Sequence, residues 1–238
     1  THRLAKVAKE FDAEVSGAIM FTLSPVHTDD YYADKAAKLS ACDEIDTLLL
    51  YDTAGVLNPD RMRTLIPAIL KNANGKPVEF HANNILGAST ISYLEAIKLG
   101  IHIIHTASLP MANGPSVPSI EIMARNVELL GHTHNVDTSL LPQIADHFER
   151  VAIAAGFPVG VPQEYDLFSV QHQIPGGMTG TLKAQLVQYG MADKFDEVLS
   201  ETAKVRKELG YPGMATPFSQ LVGTLAVLFL PTKNIMFP

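Results

Sequence analysis

Four short stretches of this sequence end in side chains able to bind an anion, polarise a carbonyl or carry a proton. They are Thr22 and Ser24; Tyr51 and Asp52; His81, Asn83 and Asn84; and His105, Thr106 and Ser108. Each group follows a run of apolar or β-branched residues, which places it at the end of a β-strand. In a parallel α/β fold such ends converge on one face, where sites are built. The third group, in VEFHANNILG (78–87), raises the sharpest chemical question. Two histidines at i and i+2 on a strand end would reach one metal ion together, because the pleat turns such residues to the same side. Here the pair is His81 and Asn83. A competing reading gives these polar residues to the caps of the helices that follow.

The elements that would hold these residues follow from periodicity. THRLAKVAKEFDAEV reads as an amphipathic helix and SGAIMFTLS as a strand ended by Pro25. HTDDYYADKAAKLSA reads as a helix with Thr28 as its N-cap and Asp29 and Asp30 in the first turn. DTLLLYD is a buried strand, NPDRMRTLIPAILKNANG a helix with Pro59 near its start, and PVEFHAN a third strand. TISYLEAIKLG is a helix closed by Gly100, IHIIHTAS a fourth strand, and SVPSIEIMARNVELLG the helix completing the fourth strand-helix unit. Such alternation predicts βαβ units and a parallel sheet, either open or half of an eight-stranded barrel. Half a barrel leaves two strand edges to be covered by further sequence or another chain. Beyond Gly131 the remaining periodic segments, SLLPQIADHFERVAIAAG, GTLKAQLVQYG, DKFDEVLSETAKVRKELG and TPFSQLVGTLAVLFL, are all helical.

Other motifs carry less. His132 and His134 in GHTHNVDTS spell an H-x-H pair, but they follow a helix-ending glycine in a polar turn, which predicts a solvated loop and no metal site. QIPGGMTG (173–180) puts two glycines before a helix, for a close backbone approach to a ligand or for a plain turn. The chain has 238 residues, 47% hydrophobic and 18% charged, with a formal charge of −7. That composition fits a soluble globular protein and argues against a nucleic-acid partner. The single cysteine, Cys42, allows no internal disulfide and is expected to be buried and inert, consistent with a cytoplasmic location. No signal peptide is expected, and the longest apolar run, LVGTLAVLFL, reads as a core helix too short to span a membrane.

Taken in order, FTLSPVHTDDYYADKAAKL, LLLYDTAGVLNP, HTASLPMANGPSVPSIE, QIPGGMTGTLKAQL and ATPFSQLVGTLAVLFL resemble a known family. It comprises the carboxyltransferase domain of biotin-dependent pyruvate carboxylase, the oxaloacetate decarboxylase α subunit and the keto-acid subunit of transcarboxylase. The resemblance implies a TIM (β/α)8 barrel followed by a helical funnel-like domain. About four strand-helix units fall in 1–134 and the helical region in 135–238, with the chain opening in the helix before the fourth barrel strand. It implies carboxyl transfer between carboxybiotin and a keto acid through an enolate, with biotin carried on another domain or subunit. It also implies a homo-oligomer or larger carboxylase complex.

The family's metal ligands are an aspartate outside this sequence, a carbamylated lysine in an IKDMAG-like strand end, and two histidines of an H-x-H strand end. Here Tyr51 stands at the lysine position and Asn83 at the second histidine, so only His81 is kept. Pro115 stands where pyruvate carboxylases carry a proton-shuttling threonine, with Ser116 and Ser119 nearby. A neutral phenol and a carboxamide are poor replacements, so the expectation is a metal absent or weakly held. The candidate catalytic residues are therefore His81, Tyr51, Asn83, Asp52 and Asn84, expected to act as a neutral hydrogen-bonding cluster. Thr22, Ser24, His105 and Ser116 are candidates for substrate binding, and His81 for a weak metal contact. The functional expectation is a divergent carboxyltransferase or decarboxylase. Two alternatives stay open: a catalytically silent homologue acting as an assembly or regulatory partner, and a metal-independent lyase or aldolase on the same barrel.

Overall fold

The structure, a computed structural model, describes residues 2–160 and 164–230. Thr1 of the expected first helix and residues 161–163 and 231–238 of the expected helical region lie outside them. Helix α1 (His2–Lys9) leads into four strands that alternate with helices. These are β1 (Ser16–Met20), α2 (Asp29–Ser40), β2 (Thr47–Asp52), α3 (Pro59–Asn72), β3 (Val78–Ala82), α4 (Ser89–Lys98), β4 (Ile103–Ile104) and α5 (Ile120–Leu129). Capping side chains start three of these helices. Thr28 accepts from the Tyr31 amide, Asn58 from Arg61 with Pro59 next to it, and Ser119 from Ile122. Each cap satisfies a helix N–H that has no partner within the helix.

The strands are parallel and lie in chain order, β1-β2-β3-β4. This is the order of a barrel segment, not of a doubly wound sheet. Helices α2, α3, α4 and α5 pack side by side in that sequence as one layer against the sheet. Period-2 alternation then sorts the residues. Ile19, Leu48, Leu50, Val78 and Phe80 face the helices and are buried, at roughly 1.5–3 kcal/mol of stabilisation for each large side chain. Ala18, Met20, Leu49, Tyr51, Glu79 and His81 alternate with them and face the other way.

Several elements are shorter than the sequence predicts, strand β1 among them, which ends at Met20. Helix α1 stops at Lys9, where the chain turns through Asp12 at φ 53° so that the Val15 amide can donate to Asp46. Strand β4 keeps two residues, because the chain after His105 leaves the sheet and bridges from Ala107 to Ser119.

After α5 the chain is helical: α6 (Leu141–Ala154), α7 (Leu167–His172), α8 (Gly176–Gln188), α9 (Phe195–Glu208) and α10 (Phe218–Phe229). Helices α8, α9 and α10 bury a second core around Leu182, Leu186, Val198, Val222 and Ala226. Helix α10 is LVGTLAVLFL as a core helix on one face only, since Phe218, Leu221 and Phe229 are exposed. No helix among the described residues is long and apolar enough to cross a membrane.

The two halves are joined where β1 ends. The Gln173 side chain accepts from the Leu23 amide at 3.1 Å and donates to the Leu23 carbonyl at 2.9 Å, pairing with that backbone as a neighbouring strand would. Arg206, buried in α9, donates to Thr22 Oγ1 at 2.9 Å.

Candidate active site at the strand ends

Strand register brings the site together. Met20 lies beside Tyr51 and Tyr51 beside His81. One step beyond the Phe80–Ile104 pair sets His105 beside His81, with the His105 amide donating to Phe80 O at 3.0 Å. Tyr51, His81 and His105 thus form one rung on the face turned away from the helices. Their rings meet edge to face, with centroids 4.8 Å apart for Tyr51–His81 and 5.3 Å for His81–His105.

A hydrogen-bonded chain runs along this rung. Asn83 donates through Nδ2 to Thr53 O at 2.9 Å, and its Oδ1 lies 3.2 Å from His81 Nε2. His81 Nδ1 lies 3.2 Å from His105 Nδ1, and His105 Nε2 lies 2.8 Å from Glu79 Oε2. Glu79 also accepts from the Thr47 hydroxyl. Burial holds the His81 imidazole below its ordinary range; the bond to Asn83 opposes this and the neighbouring His105 adds to it. Burial also works against the Glu79 charge, but hydrogen bonds from Thr47, His105 and Ser16 outweigh it and hold that carboxyl low. Among the described residues the Tyr51 hydroxyl makes no hydrogen bond, so it remains available to a ligand.

The structure gathers Tyr51, His81, Asn83 and His105 and places the other candidates elsewhere. Asp52 belongs to the opposite face, because consecutive strand residues alternate. It is fully buried, accepts from the Leu57 amide at 2.7 Å, and is pushed up to about 6 by that burial. Asn84 is buried as well, accepting from the Ser89 amide at the start of α4 and donating to Asn113 Oδ1 at 2.7 Å. Thr22 is spent on Gln173 and Arg206 in the joint. Ser24 pairs with His27 Nδ1 at 2.7 Å within its turn. Ser116 enters through its backbone, whose carbonyl accepts from the Asn84 amide. The side chains of Thr22, Ser24, Asp52 and Asn84 are thus each engaged by other protein groups and lie apart from the rung.

Glu79 is absent from the candidates that the sequence supplies. Its signal lies in the same period of two, as a charge at i−2 from His81 and i−4 from Asn83 in an otherwise apolar strand. The glycines explain themselves by contact. A Cβ at Gly176 would lie 2.5 Å from Pro115 Cα, so α8 starts hard against the 112–117 loop. Gly55, at φ +65°, would bring a Cβ within 2.2 Å of Asn83 O.

The donors on the rung do not fit the family's divalent metal. They amount to two imidazoles whose nitrogens are all engaged, with each other and with Asn83 and Glu79, one phenol and one carboxamide, where zinc favours free thiolate, imidazole and carboxylate. Among the described residues, the three-residue group with ligand atoms in reach of one another is His2, Cys42 and Glu44, away from the strand ends. The H-x-H of His132 and His134 lies in a loop, where His134 Nδ1 accepts from the Val136 amide and Nε2 faces Glu128 at 3.2 Å. A cavity of about 400 Å³ beside this loop is lined by Ile97, Ile104, Met123 and Val127 and is separate from the rung.

A pyruvate carboxylase subunit of Methanocaldococcus jannaschii is 38% identical over 96% of this chain and 40% of its own length. The methylmalonyl-CoA carboxyltransferase 5S subunit of Propionibacterium freudenreichii subsp. shermanii is 35% identical over 95% of the chain and 44% of its own. A family model for a conserved carboxylase domain matches residues 170–235. Over nearly its whole length the chain is thus similar to carboxyltransferase subunits of pyruvate carboxylase and transcarboxylase. It spans about two fifths of the length of these relatives. The fold agrees: the carboxyl transferase domain of Rhizobium etli pyruvate carboxylase superposes with a TM-score of 0.88 at 20% identity, over 100% of this chain and 42% of that one. A structure of that domain with pyruvate and biocytin gives 0.89.

Proposed function

We propose that the chain forms part of a biotin-dependent carboxyltransferase or decarboxylase that handles a keto acid through its enolate. The observation that carries this reading is the rung itself: a free phenol and two linked imidazoles side by side at the carboxyl ends of parallel strands, in a family that includes pyruvate carboxylase. The Tyr51 hydroxyl would donate to the keto or carboxylate oxygen. His81, kept in place by Asn83 and His105, would form the adjoining wall. Preorganised donors of this kind stabilise charge where it develops, without reorganising during the reaction.

Biotin would supply the carboxyl group or accept it. A cavity of about 250 Å³ lined by residues 110–116 with Pro158 and Gly160 offers a neutral wall that fits an uncharged ring, with Asn113 and Ser116 as its polar side chains. Pro115 has no hydroxyl, so proton transfer there falls to another group. The biotin would arrive on a carrier domain or partner protein, within a homo-oligomer or larger carboxylase complex. Residues 1–134 would serve as the barrel part and 135–238 as the helical cover.

A second reading, a metal-independent lyase at the same rung, is favoured by the donor set. The full-length protein separates the two when offered carboxybiotin with pyruvate, and oxaloacetate alone, with and without chelator. Transfer that depends on both carboxybiotin and pyruvate supports the first reading. Chelator-insensitive decarboxylation without biotin supports the second, and inactivity in every arm overturns both.

A further inference from the structure

At the amino ends of the strands a second set of side chains suited to a metal comes together. His2 opens α1, and Cys42 and Glu44 lie in the loop between α2 and β2. One ligand atom from each falls within 4.8 Å of the other two: an imidazole nitrogen, the thiol sulfur and a carboxylate oxygen. That loop leads into Thr47 at the start of β2, whereas Tyr51 stands near its other end, so this group and the rung occupy opposite ends of the sheet. Cys42 is only 2% exposed, and among the described residues its thiol makes one hydrogen bond, to Glu44 Oε2 at 3.2 Å. A sulfur and an oxygen bound to one tetrahedral zinc stand about 3.5 Å apart, so the pair needs little movement to share an ion. The loop is braced from below. The Ile45 amide donates to Cys42 O, and Lys76 Nζ donates to the carbonyls of both Cys42 and Ile45. Lys6 Nζ lies 3.7 Å from the other Glu44 oxygen, but its side chain is 66% exposed and free to turn to water.

We propose that His2, Cys42 and Glu44 bind a zinc ion that clasps α1 to the loop before β2. Thiolate, imidazole and carboxylate together favour zinc over magnesium or calcium, which prefer oxygen ligands alone. Three protein ligands leave the fourth tetrahedral position to water, and the thiol proton passes to solvent as the ion binds. The clasp fits what α1 lacks. The helix has eight residues, short of the length that holds itself in water, and buries only Ala5. Its ion pairs to this loop, Lys6 with Glu44 and Lys9 with Asp46, are partly exposed and weak fastenings. At the amino ends of barrel strands, side chains serve stability and not chemistry, which suits a structural ion. Carboxyl transfer has no part in it. Cys42 reads in the sequence as an inert core thiol, and becomes a ligand because the fold sets His2 beside it.

The test strips full-length protein with chelator, dialyses it, and loads it with zinc chloride or, separately, with cobalt chloride. The cobalt form is expected to show the near-ultraviolet charge-transfer absorption of a thiolate–cobalt bond. Cys42→Ser, which keeps the shape of the side chain, should abolish that band and lower the zinc content by one ion per chain. His2→Gln changes an exposed side chain that packing does not need, and should weaken zinc binding at least about hundredfold, since even the outer partners of a ligand are worth up to that much. Zinc should slow amide exchange in α1 of the unaltered protein and leave it unchanged in Cys42→Ser. His81→Gln should retain the cobalt band, which separates this ion from any held at the rung. A cobalt form of the unaltered protein without the band overturns the proposal. So does a band that survives Cys42→Ser or is lost in His81→Gln, or a zinc affinity unchanged in His2→Gln.

Discussion

The end of β1 and the ends of β3 and β4 begin from the same sequence signature, polar residues after an apolar strand, and reach opposite fates. At β1, Thr22 is 2% exposed and bonded to Gln173 and Arg206, so its polarity is consumed by the helical region that lands on it. At β3 and β4, His81 and His105 stay half-exposed and bond chiefly to one another and to Glu79 and Asn83. A polar strand end becomes a joint where another element covers it, and a candidate site where none does. That rule picks out the candidate site better than residue type does.

The largest effect is expected where the rung meets its own backbone. Gly55→Ala puts a Cβ 2.2 Å from Asn83 O at a φ of +65°, and should cost at least about 3 kcal/mol in urea unfolding of the full-length protein. An effect below about 1 kcal/mol would mean that the rung yields easily and is not preorganised.

Acid and base should separate the two regions next. Asp52, under the sheet, sits near 6 when folded against an ordinary 3.8, so the folded state binds the proton more tightly and stability falls as pH rises from about 4 to 6. His172, buried at the joint, is pushed down to about 4 from 6.5, so stability is fully present above the ordinary value and is lost as pH falls toward 4. Each is worth on the order of 3 kcal/mol and the slopes oppose, so the unaltered protein should look nearly flat over this window. Asp52→Asn should expose a rise with pH and His172→Gln a fall. Parallel slopes in the two variants would contradict the assignment.

A smaller loss, about 2 kcal/mol, is expected for Gln173→Ala, which strips partners from Thr22 Oγ1 and from both backbone groups of Leu23. The His81 and His105 ring signals should not move, and a shift in them would show that joint and rung are one network. Smallest in stability is Tyr51→Phe, expected within about 0.5 kcal/mol of the parent. On the proposed carboxyl-transfer reading, keto-acid turnover should nonetheless fall by about tenfold or more. Undiminished turnover would remove Tyr51 from the chemistry.

The strands, their order and most of the helices are legible in the sequence, because burial of a sheet under one helix layer writes plain periodicities. Thr28 as N-cap and the loop around His132 and His134 are readable for the same local reasons. Alternation alone puts Asp52 on the face opposite Tyr51, which a reading by chemical type passes over. Thr22 and Asn84 cannot be sorted from sequence, because their partners, Gln173 and Asn113, come from distant segments. Glu79 stands in plain view on the same strand face as His81, and only its pairing with His105 requires the fold. Helix α7, six residues long, is too short to write a period.

The strands pair in the order in which they occur, whereas the bonds from Gln173 and Arg206 to the end of β1 close separations of 150 to 184 residues. During synthesis the sheet can therefore assemble unit by unit from local contacts, while Thr22 and Leu23, made well before the helical region, stay hydrated until α9 exists. Long-range contacts of this kind form late because loop closure precedes any gain from them. The docking of the helical region thus acts as a clock on maturation, and pulse-labelled exchange should find the amides of Leu48 and Leu50 protected well before that of Leu23.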